Sequence, residues 1–172
     1  MRLLEFDGKK IFRKYGIPVP EGTFLETSGN GERKVAELSY PCLFKAQMLS
    51  GGRGKAGLIR KVASAEEAKK TGEEIFGQEN IKGILAEDLV PIHKEFFAAV
   101  ALDRKLAAPV LMFSPHGGVE VESLTPEAMV RIPFADGANW SFHRFLDLLL
   151  PLGLQGKILV QTATILRNLG KL

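Results

Sequence analysis

Apolar and polar residues alternate along this chain in two rhythms, and each change of rhythm marks an element. In LLEFDGKKIFRKYG, Leu4, Ile11, Phe12 and Tyr15 recur at helical spacing, and Gly16 stands where a left-handed C-cap closes a helix. IPVPEGTFLET reads as extended chain, with two prolines fixing its course. NGERKVAEL is a short helix, and PCLFKAQM and GLIRKVAS are strands on either side of a glycine-rich loop. SAEEAKKTGEEIFG opens with Ser64 and Glu67 at capping-box spacing and gathers Ala68, Ile75 and Phe76 on one face. KGILAEDLV is a strand, KEFFAAVALDRKLAAPVLMFS a hairpin turning at DRKLA, and GGVEVESL a half-buried strand in which apolar and acidic residues alternate. From Ser141 onward, SFHRFLDLLLPLGL and KILVQTATILRNLGKL predict two helices separated by Gly153 and Gly156, with Pro151 bending or ending the first. Helices mixed with hairpins in this order predict an α+β fold and not a doubly wound parallel sheet.

Composition narrows this picture only a little. The 172 residues are 45% hydrophobic and 25% charged, which suits one domain or two small lobes. No apolar run approaches the roughly 18 residues of a membrane helix, and MRLLEFDGKK is too charged for a secretory signal. Cys42 is the only cysteine, so internal disulfides and cysteine metal clusters are excluded and a reducing, cytoplasmic setting is expected. A net charge of +3 leans toward anionic partners without separating nucleotide from nucleic acid.

The chemistry concentrates in KAQMLSGGRGKAGLIRKV, residues 45–62, where four glycines lie among five basic residues and no acidic one. Gly52, Gly54 and Gly57 satisfy G-x-G-x-x-G, a weak signal until its flanks are read. A dinucleotide fingerprint needs a helix after the loop, whereas GLIRKVAS is a strand. A Walker A loop needs glycine at position 49 and Ser or Thr at 56, and these are Leu49 and Ala56. What remains is a hairpin flap whose bare backbone N–H groups approach phosphate oxygens while nearby cations offset their charge. Protein kinases carry their phosphate lysine after such a flap; here Lys45 precedes it. The structural alternative is a surface hairpin with incidental lysines.

ILAEDLVPIHKEFF then places Glu87 at the end of one strand and Glu95 at the start of the next, with Pro91 in the connector. Such a connector offers backbone groups to an adenine edge, Glu87 an acceptor for its amino group, and Glu95 an acceptor for ribose hydroxyls. The alternative is a pair of solvated strand-end carboxylates.

Taken together, the order of parts resembles the ATP-grasp fold, and more closely the beta subunits of succinyl-CoA synthetase (succinate–CoA ligase) and its acyl-CoA synthetase relatives. EFDGKKIFRKYGIPVPEG, FKAQMLSGGRGKAG, ILAEDLVPIHKEFFAAVALDR, SPHGGVEVE and LGLQGK carry this resemblance across almost the whole chain. It implies an α+β, two-lobed mixed-sheet ATP-grasp fold with a glycine-rich hairpin flap, incomplete at the C-terminus. Residues 20–90 would form the nucleotide-binding small lobe, and residues 1–19 and 91–172 part of the larger one. It further implies that Lys45 contacts nucleotide phosphates, that Gly52, Arg53 and Gly54 form the flap, that Glu87 and Val90 lie at the adenine, and that Glu95 holds the ribose. Glu120 and Glu122 match a family strand.

The family couples cleavage of ATP or GTP to thioester formation from a carboxylic acid and coenzyme A, succinate, malate, citrate and acetate ligases sharing this portion. Phosphoryl passes through a histidine on a partner alpha subunit, so His93, His116 and His143 are expected to be structural. Magnesium is expected in the complete enzyme, held by an Asn and an Asp beyond the last helix here, with no ligand assigned in this chain. A fragment, one half of a split ligase completed by a second polypeptide, and a degenerate binding module all fit that ending. Leu148, Leu149, Leu150, Ile158, Leu159, Ile165 and Leu166 are then expected to exceed what two helices cover, some of them lying against a second copy or remaining poorly ordered. An RNA binder using GGRGK is the reading of a different class, and the loop lacks the aromatic residues that stack bases. Membrane and nucleic-acid partners are not expected.

Overall fold

A computed structural model describes residues 2–26, 31–50, 53–54, 56–118, 129–133 and 140–172, without the side chains of 31–33. Gly51, Gly52 and Lys55 of the flap, and most of the expected GGVEVESL strand with Glu120 and Glu122, lie outside the described residues. The chain divides into two compact units, Met1–Ile11 with Pro18–Pro91 and Phe12–Ile17 with Ile92–Leu172. Helix α1, Glu5–Lys14, contributes to both.

The first unit is a four-stranded antiparallel sheet. Its strands are β1 (Gly22–Leu25), β2 (Cys42–Gln47), β3 (Ile59–Val62) and β4 (Gly83–Asp88), in the order β1-β4-β2-β3. Between them run α2 (Gly31–Ala36) and α3 (Ala65–Phe76). Because side chains alternate along a strand, the sheet has two chemically different faces. Cys42, Phe44, Ala46, Ile84 and Ala86 point to one of them and pack with Ala68 and Ile75 of α3. Burial of each large apolar side chain there contributes about 1.5–3 kcal/mol. Leu43, Lys45, Gln47, Leu85 and Glu87 occupy the other face, which receives the first turns of α1.

Helix α3 starts where its sequence signal places it. Ser64 Oγ accepts from the Glu67 amide at 3.2 Å, and Glu67 Oε2 accepts from the Ala63 amide at 2.7 Å, one residue before the expected reciprocal partner. Helix α1 differs from its reading. Gly16 takes the left-handed conformation, φ +70°, but no α1 residue is fully buried and Ile11 is exposed. The helix meets the first sheet through Glu5, Phe6 and Lys9 instead of an apolar stripe. Phe6 stacks on Phe24 with ring centroids 4.7 Å apart. Gly83 makes room for that stack, since a Cβ there would run into the Phe24 ring.

The second unit has the antiparallel sheet β5-β6-β7, formed by Phe97–Asp103, Ala108–Ser114 and Val130–Pro133. The β5–β6 hairpin turns over residues 104–107, and Asp103 Oδ1 accepts from the Lys105 and Leu106 amides. Two helices follow, α4 (Phe142–Leu149) and α5 (Gly156–Leu169), separated by a 3-10 turn at Leu150–Leu152 that contains Pro151. They close over Leu111, Phe113 and Ile132. The leucine surplus is only partly exposed. Leu149, Leu159 and Leu166 are buried in this unit's own core, Leu148 and Ile165 are half-buried, and Leu150 and Ile158 face solvent. Packing of α4 and α5 on each other as well as on the sheet covers more than each helix counted separately. Among the described residues, no helix is long and apolar enough to cross a membrane.

Candidate functional site: a charge cluster at the mouth of the glycine hairpin

Strands β2 and β3 form the expected hairpin, with Lys45 paired to Ile59 at the loop end of the ladder. The loop folds back on its own strand. The Arg53 guanidinium donates to the Ala46 carbonyl at 3.1 Å, the Leu58 amide to the Arg53 carbonyl at 3.0 Å, and Gly57 turns the chain at φ +66°. Gly54 is exposed in this turn, and its carbonyl accepts from the Gly57 amide at 3.2 Å. Gly52 lies outside the described residues.

Lys45 and Glu87 come together because β4 lies next to β2. Lys45 pairs with Leu85 and Leu43 with Glu87, so the two charged residues are diagonal neighbours on one face. Lys45 Nζ reaches Glu87 Oε2 at 2.5 Å, and Lys9 Nζ of α1 is paired with Glu87 Oε1. The Glu87 side chain is only 3% exposed, so its two lysines compensate a carboxylate removed from water.

A second carboxylate completes the cluster. Glu5 Oε1 lies 3.0 Å from Lys9 Nζ and 3.3 Å from Lys45 Nζ, and its Oε2 lies 2.8 Å from Arg53 Nη1. Gln47 holds the helix in place for this contact: its Oε1 accepts from the Phe6 amide at 3.0 Å, and its Nε2 donates to the Lys45 carbonyl at 3.1 Å. That amide side chain is fully buried, so its satisfied hydrogen bonds fix α1 against β2. The result is three cations, Lys9, Lys45 and Arg53, on two carboxylates. Sequence reading named Lys45 and Arg53 for phosphate and Glu87 for the adenine end, whereas the Glu87 carboxylate here is buried against Lys9 and Lys45; it did not name Glu5, Lys9 or Gln47. The available signal was the Glu5–Lys9 spacing on EFDGKK, an i,i+4 pair that any solvated helix face also carries.

Burial by itself would raise the Glu5 carboxyl. The hydrogen bond from Lys9 and the charges of Lys45, Lys9 and Arg53 outweigh it and lower the group from 4.5 to about 2. Lys45 is shifted in the complementary sense: burial pulls it down, and its hydrogen bond to Glu87 with the charge of Glu5 more than restores it, leaving it raised. A carboxyl depressed by folding stabilises the protein above its unfolded pKa and loses that contribution as pH falls through the folded value. Melting curves of the wild type and Glu5→Gln should therefore keep a constant offset above pH 4.5 and converge as pH falls toward 2.

The remaining predicted site residues lie elsewhere. Val90 follows β4 and is 54% exposed. Glu95 belongs to the second unit, where its carbonyl accepts from the Gly117 amide at 2.9 Å and its carboxylate lies beside Gly118, φ +122°. Gly117 is needed at this turn, because a Cβ would come within 2.6 Å of the Phe96 backbone. His93, His116 and His143 are all exposed. A cavity of about 220 Å³ beside β4 is lined by Glu21, Glu37, Glu87 and Asp88.

The profile of the ATP-grasp domain matches residues 2–172. The chain belongs to the ATP-grasp family. This ATP-grasp chain is 36% identical over 177 residues to the ADP-forming sulfoacetate-CoA ligase subunit SauC of Bilophila wadsworthia, a match covering 99% of the chain and 47% of that protein. It is 34% identical over 180 residues to the succinate–CoA ligase [ADP-forming] subunit beta of Ignicoccus hospitalis, covering all of the chain and 48% of that protein. It thus spans about half the length of these relatives. Among solved structures it is similar to ACD1 of Ca. Korarchaeum cryptofilum in complex with coenzyme A, with TM-score 0.71 at 22% identity, over 97% of this chain and 78% of that one. That likeness concerns the fold, and it agrees with the α+β ATP-grasp architecture expected from the sequence.

Proposed function

We propose that the first unit of this chain grips the phosphates of ATP, as part of an acid–CoA ligase that couples ATP cleavage to acyl-CoA formation. The observation that carries the reading is the meeting of Lys45 and Arg53, one from strand β2 and one from the glycine loop, on a shared carboxylate. Two cations, one from a strand and one from the side-chain-poor loop that follows it, make a seat for an anion with several oxygens. The relatives' names, sulfoacetate–CoA and succinate–CoA ligase subunits, support an acid and coenzyme A as the other substrates. Succinate is the acid we favour, with phosphoryl relayed by a histidine on a partner alpha subunit, in the cytoplasm and in the tricarboxylic acid cycle.

In this reading Lys45 and Arg53 orient and neutralise the phosphates, Gly52 and Gly54 let backbone amides approach them, and Val90 and Glu95 serve the base and ribose. Closure of the hairpin would exclude water from the phosphates. Magnesium is proposed for the complete ligase, where it would shield the phosphate charge. Among the described residues, no three His, Cys, Asp or Glu side chains gather to hold a metal ion, and no step here is assigned to it.

Calorimetry of this chain with ATP, beside binding of single-stranded RNA of mixed sequence, tests the assignment. Saturable ATP binding with RNA indifference is expected. Strong RNA binding with indifference to ATP overturns it.

A further inference from the structure

Glu5 and Glu87 share the same two lysines, yet they are held very differently. The Glu87 side chain is 3% exposed and that of Glu5 22%. Lys45 is 2.5 Å from Glu87 but 3.3 Å from Glu5. Of the two carboxylates, Glu5 is also the one bonded to Arg53, at 2.8 Å. Its backbone is fixed, because the next amide is held by buried Gln47, whereas its side chain stands on the first turn of a helix without a fully buried residue. Glu87 is therefore a permanent base to the cluster, and Glu5 the carboxylate that can leave.

The position it would leave is informative. Its oxygens lie between Lys45 and Arg53, the two cations assigned above to phosphate. We infer that Glu5 is a resident anion: its carboxylate holds the place of a phosphate group of the nucleotide and is displaced when the nucleotide binds. The inference rests on reading this cluster as the phosphate site and adds to it a competitor built into the chain. With Glu5 in place, three cations face two carboxylates; with Glu5 withdrawn, they face one, and the vacated positive field meets the incoming polyanion. Without nucleotide, the same carboxylate keeps Lys9, Lys45 and Arg53 from repelling one another and keeps the two phosphate cations pointed at a common centre. An ordinary phosphate-binding lysine gains affinity from a neighbouring carboxylate only through orientation. A competing carboxylate lowers affinity, and its removal therefore has the opposite sign.

The test uses Glu5→Gln and Glu5→Asp in the full chain, with ATP and inorganic tripolyphosphate as probes, by calorimetry at neutral pH. Neutralising the carboxylate is expected to tighten both ligands by about 1.5- to fivefold, a range set by the modest strength of partly exposed ion pairs. Shortening it draws it back from the cations and should shift affinity in the same direction by less. Unchanged or weaker binding by Glu5→Gln, in a chain whose wild type binds ATP and whose Lys45→Ala variant binds it more weakly, overturns the displacement and leaves the nucleotide reading standing. Tightening for ATP without tripolyphosphate overturns the assignment to a phosphate position. Failure of the wild type to bind either probe overturns both readings.

Discussion

Replacing Lys45 with alanine is expected to lower affinity for ATP by about 10- to 150-fold, the equivalent of one charge-assisted hydrogen bond of roughly 1.5–3 kcal/mol. Lys45 stands at the loop end of the β2–β3 ladder, paired with Ile59, and its Nζ reaches Glu87 and Glu5. Its removal takes away a cation and also leaves Glu87 with Lys9 as its remaining partner among the described residues. Both changes make the site less welcoming to phosphate. Calorimetry gives the affinity, and circular dichroism reports whether the sheet persists. A Lys45→Ala chain that folds and binds ATP as the wild type does would remove this strand from the site.

Glu87→Ala should have the larger effect on folding. A buried carboxylate that bridges two lysines cannot be deleted without leaving them to face each other, and breaking such a pair costs about 3–5 kcal/mol. Glu5 alone would then have to serve Lys9, Lys45 and Arg53. Glu87→Gln keeps the shape and an acceptor oxygen, and is expected to cost less. Amide hydrogen exchange of β2 and β4 reads the loss in the unit where it occurs, which a single melting temperature for a chain of two units would blur. Equal protection in wild type and Glu87→Ala would show that the lysines find other partners.

The features legible in the sequence are those decided by near neighbours. The Ser64–Glu67 cap lies within four residues, the β5–β6 turn is closed by Asp103 on the next residues, and the β2–β3 hairpin puts Lys45 before its loop simply by chain order. Resemblance added the roles expected of Arg53 and Glu87. Glu5, Lys9 and Gln47 stayed hidden because their partners are far along the chain: Lys9 and Glu87 are 78 residues apart, Phe6 and Gln47 are 41. No local rhythm encodes such pairings. They follow from the insertion of β4 between β1 and β2, which also decides which face of β2 receives α1. For the leucines of α4 and α5, periodicity named the apolar positions but not how many of them Leu111, Phe113 and Ile132 would cover.

The strand order has one more consequence, for a chain emerging from the ribosome. One of its two inner strands, β4, is made last of the four, so β1 and β2 share no neighbour until residues 83–88 arrive. Lys45 is synthesised well before the carboxylate that anchors it. A growing polypeptide thus carries its basic hairpin for a time with Glu5 as the carboxylate already made, and Glu87 and the strand that joins β1 to β2 are delivered together by the same six residues.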